Sequence, residues 1–173
     1  MNELNKRLEK LNACSEAMGW VGDKSLKKAW KNCKRGDWML WYYFREVGFT
    51  KELVKAKADC ASLVKHLMED QRSLDALQAC YDYVDGNLNE EELRQAAYAA
   101  YDAAYDAADA AAAFAAYDAA YDAANAYDAA AFAAAFAANA ANAADAARKE
   151  TLKECADICR EVLTESLFKK VGK

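Results

Sequence analysis

Residues 89–130 read "NEEELRQAAYAAYDAAYDAADAAAAFAAYDAAYDAANAYDAA", and this stretch decides the fold. Asn89 and Glu92 have the spacing of a capping box, in which each side chain bonds the other residue's backbone N–H and so starts a helix. Of the 50 residues from 98 to 147, 31 are Ala, the strongest helix former. An all-alanine face buries little area, so the periodic rings must hold each helix in place. At about 25 cal/mol per Å² a buried Tyr or Phe contributes several times what an Ala does. The small side chains let neighbouring helices approach near the short end of the usual range of about 8–10 Å. The Asp after each Tyr lies about 100° further round the helix and keeps one edge wet. The tract therefore reads as closely packed antiparallel helices with tyrosines as spacers.

An unbroken helix from here to Gly172 would run roughly 120 Å, and the ring phases argue against it. Tyr98, Tyr101 and Tyr105 share one face, whereas Phe114, Tyr117, Tyr121, Phe132 and Phe136 cluster on another. A phase jump between Asp109 and Phe114, or reversals near Asn125 and at Asn139 to Asn142, is expected to divide the tract.

Outside the tract the same class holds. The chain has no Pro and six Gly, and no period-2 alternation with turn residues. An all-α, multi-helix bundle is expected, its C-terminal half made of closely packed Ala-rich helices. Residues 1–173 read as a single domain, with an aromatic and Cys-rich part (1–88) and an Ala-rich part ending in an amphipathic helix (89–173). Leucines at three- and four-residue spacing predict one helix over residues 3–18, broken by "GWVGD". Asp23 or Ser25 can cap the next helix, through "LKKAWKNC". Gly36 breaks the chain, and Asp37 is the expected N-cap of a helix that ends at Gly48. Thr50 opens about five turns with Leu53, Ala56, Cys60, Leu63 and Leu67 on one face. Ser73 starts a helix that Gly86 ends. The last helix turns Leu152, Cys155, Cys159 and Val162 inward, with a fraying "KKVGK" tail.

Charge narrows the function classes. The formal net charge is −5 over the whole chain, yet residues 98–147 carry seven Asp and no Lys, Arg or His. A basic nucleic-acid footprint is excluded from the tract, and no direct nucleic-acid binding is expected. Imitation of a duplex is disfavoured too. DNA presents about one charge per 1.7 Å of axis, and seven carboxylates over some 75 Å of helix are about six-fold too sparse. The tract has no Thr for an ice-binding pattern and no basic residues for a membrane-surface helix. No uncharged apolar run reaches spanning length, and the polar start lacks the pattern of an export signal, so a cytoplasmic protein with no membrane contact is expected.

Reactive groups are few. The cysteines are Cys14, Cys33, Cys60, Cys80, Cys155 and Cys159, expected to be reduced thiols that pack as small apolar residues. Cys155 and Cys159 share a helical face, but no second short Cys or His pair completes a zinc pattern. His66 is the sole His, and no nucleophile elbow, P-loop or dinucleotide fingerprint accompanies it. No catalytic residue, metal or cofactor is expected, and the chain is not expected to be an enzyme. Chemistry is densest in "AWKNCKRGDWMLWYYF", residues 29–44. Trp38, Trp41 and Tyr42 share a face there, with Tyr43 and Phe44 pointing elsewhere. These rings read first as core, with any exposed minority suited to a protein interface.

The run "NACSEAMGWVGDKSLKKAWKNCKRGDWMLWYYF", the Ala-rich tract with Tyr and Asp, and "RKETLKECADICREVL" together resemble the alanine-rich helical (Imm5-like) family of predicted immunity proteins. These accompany bacterial polymorphic toxins and occur in gut phage and mobile-element sequences. The resemblance covers roughly residues 10–165, and its sharpest part is Cys14, Trp30, Cys33, Asp37, Trp38 and Trp41. It implies an all-helical, non-catalytic protein that binds and silences a protein partner, a toxin or a defence effector. A nuclease-like partner would suit an acidic, aromatic surface. The expected partner-binding residues are Asp102, Asp106, Asp118, Asp122, Tyr101, Tyr105, Tyr117 and Tyr121, with Asp37, Trp38 and Trp41. The alternatives are a structural module in which Ala-rich helices pair between copies as a homo-oligomer, and a phage-encoded counter-defence protein.

Overall fold

The computed structural model describes residues 2–68, 70–106 and 145–172. Among them are eight α-helices and no strand. They are α1 (Glu3–Lys10), α2 (Ser15–Val21), α3 (Leu26–Asn32), α4 (Gly36–Val47), α5 (Lys51–Ser62), α6 (Gln71–Asp85), α7 (Glu90–Asp106) and α8 (Asp145–Val171), with a 3-10 turn at Lys65–Leu67. The expected all-α, multi-helix class is what the chain adopts. The predicted phase jump at 109–114 and the reversals near Asn125 and Asn139 lie outside the described residues, as does the close packing expected of the tract's helices.

The chain forms two compact units, Met1–Cys33 and Lys34–Lys173. In the first, the helix predicted over residues 3–18 is two helices. Asn12 takes φ +59°, its N–H bonds Glu9 O at 3.0 Å, and the Ala13 N–H bonds Leu8 O at 2.9 Å. This pair of bonds satisfies the last carbonyls of α1, and Asn is among the few non-glycine residues that enter the left-handed region readily. Gly19, expected in a break, lies inside α2, which ends at Gly22. Asn2 caps α1 through Asn5 N at 2.8 Å, and its amide also reaches Gly22 O and Lys24 O at 3.1 and 2.8 Å. Ser25 caps α3, as expected. Leu4, Leu8, Ala17, Val21, Ala29, Trp30 and Cys33 are buried.

In the second unit α7 packs on α6, α6 on α5, α5 on α8, and α8 on α4, with α4 also touching α5. Helices from both sides of residue 88 thus share one body. One cluster joins Val54, Ala58 and Ala61 of α5 to Ala76, Leu77 and Cys80 of α6 and to Leu93, Ala97 and Ala100 of α7. The capping box forms as read. Asn89 N donates to Glu92 Oε2 at 2.9 Å, and Glu92 N donates to Asn89 Oδ1 at 3.1 Å. Gly86 ends α6 at φ +85°, the left-handed region that costs glycine little.

Several boundaries differ from the pattern. The N-cap of α4 is Arg35, so Asp37 sits in the first turn instead of capping it. Thr50 caps α5 through Leu53 N at 3.2 Å, but the helix stops at Ser62, short of five turns. Asp70, not Ser73, caps α6, accepting from Arg72 N at 2.8 Å; Ser73 is buried within the helix. On α8 Leu163 is buried and Val162 is only partly so, because the buried face continues in steps of four through Cys155, Cys159, Leu163 and Leu167 instead of taking the three-residue step that would turn Val162 inward. Helix α8 continues through the expected fraying tail to Val171.

Candidate functional site

The aromatic segment divides between the two units. Trp30 is buried in the first, while Tyr42 and Tyr43 are buried on α4 in the second. The inward face of α4 runs Gly36, Met39, Leu40 and Tyr43, at three- and four-residue spacing. Trp38, Trp41 and Phe44 are half-buried, so the tryptophan face expected to lead the core lies partly in solvent. Tyr43 is fully enclosed, its hydroxyl held 3.1 Å from Thr50 Oγ1 and 2.9 Å from Ser166 Oγ. That satisfies a polar atom which would be costly if left unpaired in the core.

Asp37 is buried at 8 % exposure. Its carboxylate accepts from Arg35 Nε at 2.9 Å and from a second guanidinium nitrogen at 2.6 Å. The same guanidinium carbon lies 4.3 Å from the centre of the Trp38 ring. One cation thus holds Asp37 by a forked bond and caps the Trp38 face. Asp37 and Trp38 come together in this way, and Trp41 follows one turn later on the half-buried side.

Of the other expected residues, Tyr101, Asp102, Tyr105 and Asp106 belong to α7, which packs on α6. Asp102 is exposed and Tyr101 half-buried. The side chains of Tyr105 and Asp106 lie outside the described residues, as do Tyr117, Asp118, Tyr121 and Asp122. Along α7, Glu91, Gln95, Tyr98 and Asp102 are exposed at spacings of four, three and four, which places them on one face. Among the described residues Tyr98 stands out as a large hydrophobic side chain at 50 % exposure. The ring phases treat Tyr98 as one of the rings that set a packing face. Its exposure depends on which side α6 covers, and no local pattern states that.

His66 lies exposed in the 3-10 turn after α5, not on a helix. Tyr81 donates to Asp59 Oδ1 at 3.0 Å and lies 2.8 Å from Ser62 Oγ, while Lys55 holds the other Asp59 oxygen at 2.6 Å. Burial, helped by the nearby Asp59 carboxylate, pushes the Tyr81 phenol up to about 12 against a weaker opposing pull from Ser62. Lys57, in a class of residue seldom enclosed, is only 1 % exposed. Burial drives the Cys80 thiol up to about 12 despite the lowering field of Lys57.

Three buried thiols lie where α4, α5 and α8 adjoin. Cys60, Cys155 and Cys159 are each 0 % exposed. Cys60 Sγ lies 4.0 Å from the Cys155 carbonyl, and Cys159 Sγ lies 3.9 Å from the Gly36 carbonyl. The Cys60 thiol interacts with both the Cys155 and the Cys159 side chains. Its bond to Cys155 lowers its pKa, but the bond to Cys159 and burial outweigh that and leave it well above the ordinary thiol range. The Cys155 thiol is raised as well, by its bond to Cys60 and then by burial. Thiols in such surroundings are poor nucleophiles in the closed state. Among the described residues no cluster of three His, Cys, Asp or Glu side chains is placed to hold a metal ion, and no helix is long and apolar enough to cross a membrane. No protein-family model, curated protein or solved structure matches the chain.

Proposed function

We propose that this protein is a non-catalytic inhibitor that binds a protein effector, a toxin or a defence nuclease, and silences it by steric and electrostatic blocking. The carrying observation is the exposed face of α7, where Glu91, Gln95, Tyr98 and Asp102 set a half-exposed ring between acidic ends. An amphipathic ring in a charged frame is the composition of an interface anchor, and negative charge speeds encounter with a basic partner and helps select it. The motif resemblance to alanine-rich immunity proteins supports the same reading. So does the continuation of the sequence, in which the Tyr-Asp pattern repeats beyond α7.

The test uses the full chain as bait in the cells that encode it, followed by an activity assay of whatever protein is captured. Stoichiometric addition of the chain should abolish that activity, and Tyr98→Ala with Asp102→Lys should weaken capture at least tenfold, more at low salt than at high. A captured protein whose activity is untouched, or a double variant that captures equally at both salt concentrations, overturns the reading.

A further inference from the structure

The Cys60, Cys155 and Cys159 cluster lies apart from the α7 face and has no part in the proposed binding. α5 packs on α8 here, the Cys60 Sγ of α5 lies 4.0 Å from the Cys155 carbonyl, and Cys159 stands one turn further along α8 with its own thiol also fully buried. Gly36 of α4 approaches so closely that an added Cβ would lie 2.3 Å from the Cys155 Cβ. We propose that this triad is a degenerate redox staple, in which Cys60 forms a disulfide with either Cys155 or Cys159 and ties α5 to α8.

The oxidant is hydrogen peroxide. A thiol gives up its proton and its sulfur attacks one peroxide oxygen; the O–O bond breaks, the departing hydroxide takes that proton, and a sulfenic acid and one water result. The second thiol then attacks that sulfur, the S–S bond forms, and the hydroxyl leaves with the thiol proton as a second water. Two sulfurs are oxidised and two peroxide oxygens reduced. All three thiols are enclosed, so the first step proceeds from transient opening of α8 rather than from the closed state. Whatever loosens α8 therefore controls the oxidation.

The position of the staple gives it consequence. Cys60 and Cys155 are 95 residues apart, so the bond closes a loop holding α6, α7 and the whole Ala-Tyr-Asp tract. A link across so long a loop restricts the unfolded chain strongly. A bond between Cys155 and Cys159, both on α8, would tie nothing to α5.

The experiment uses the full chain with Cys14→Ser, since Cys14 is the exposed thiol that would join molecules. The protein is treated with hydrogen peroxide, alkylated in denaturant and mapped without reduction. Loss of two titratable thiols is expected, with the Cys60 peptide joined to the peptide bearing Cys155 and Cys159. The unfolding midpoint should rise, and dithiothreitol should reverse it. Cys155→Ala should shift the bond to Cys159, and Cys159→Ala should shift it to Cys155. Cys60→Ala should abolish it with helical circular dichroism unchanged. A Cys155–Cys159 bond alone, sulfinic acid at Cys60 without a cross-link, or three thiols that still alkylate while other cysteines are oxidised would each overturn the proposal.

Discussion

Gly36 shows how much one missing side chain can set. Its Cβ position is 2.3 Å from the Cys155 Cβ and 2.8 Å from Ala156 N, so an alanine there must push α4 off α8. Gly36→Ala should cost about 1–3 kcal/mol, the usual range for overpacking, read as a lower urea midpoint. Gly19 is the control. It lies inside α2, and a methyl group added there would meet nothing within 4 Å. Gly19→Ala should therefore gain about 0.5–1 kcal/mol from helix propensity. Equal effects of the two would remove the close-contact explanation. Tyr81 gives a residue-scale pH dependence. Its neutral form is favoured in the fold, with a folded value of about 12 against an ordinary 10. The associated stability is complete below pH 10 and is lost as pH rises through 12. A difference titration of tyrosinate absorbance between the native chain and Tyr81→Phe should show one phenol with its midpoint near 12. A midpoint near 10 would rule out the burial and Asp59 account.

At the scale of an element, α7 is the helix best specified by its own residues. Asn89 and Glu92 exchange the two bonds that their spacing implies, and Glu90, Glu91 and Glu92 place negative charge in the first turn, where the helix dipole favours it. Asn89→Ala should cost about 1 kcal/mol and speed amide exchange at residues 90–93 above that of α6. Unchanged exchange would mean that packing on α6, not the cap, holds the first turn. Local caps are legible wherever a short polar side chain precedes an apolar period, as at Ser25, Thr50 and Asn89. They mislead where two signals stand close together. Asp37 carries a cap signal, yet Arg35 engages its carboxylate and α4 begins at Gly36. Asn12 carries little, because its left-handed turn depends on the carbonyls of Leu8 and Glu9 just before it.

Across the whole molecule, the second unit is ordered as α7, α6, α5, α8 and α4, which puts the exposed α7 face and the Arg35–Asp37–Trp38 group on different helices of that order. Composition alone groups those acidic and aromatic residues as one prospective surface. What the residues determined by themselves was the all-α class, the starts of α1, α3, α5 and α7, and the capping box, because these follow from propensity and contacts within one or two turns. Tertiary packing decided which tryptophans stay half in water, that Leu163 and not Val162 faces inward, that Tyr98 is exposed, and that the Cys60 thiol comes against the backbone of Cys155, 95 residues away. The physical reason is one of range. A helix is closed by bonds four residues apart, whereas the face it buries is chosen by neighbours far away along the chain.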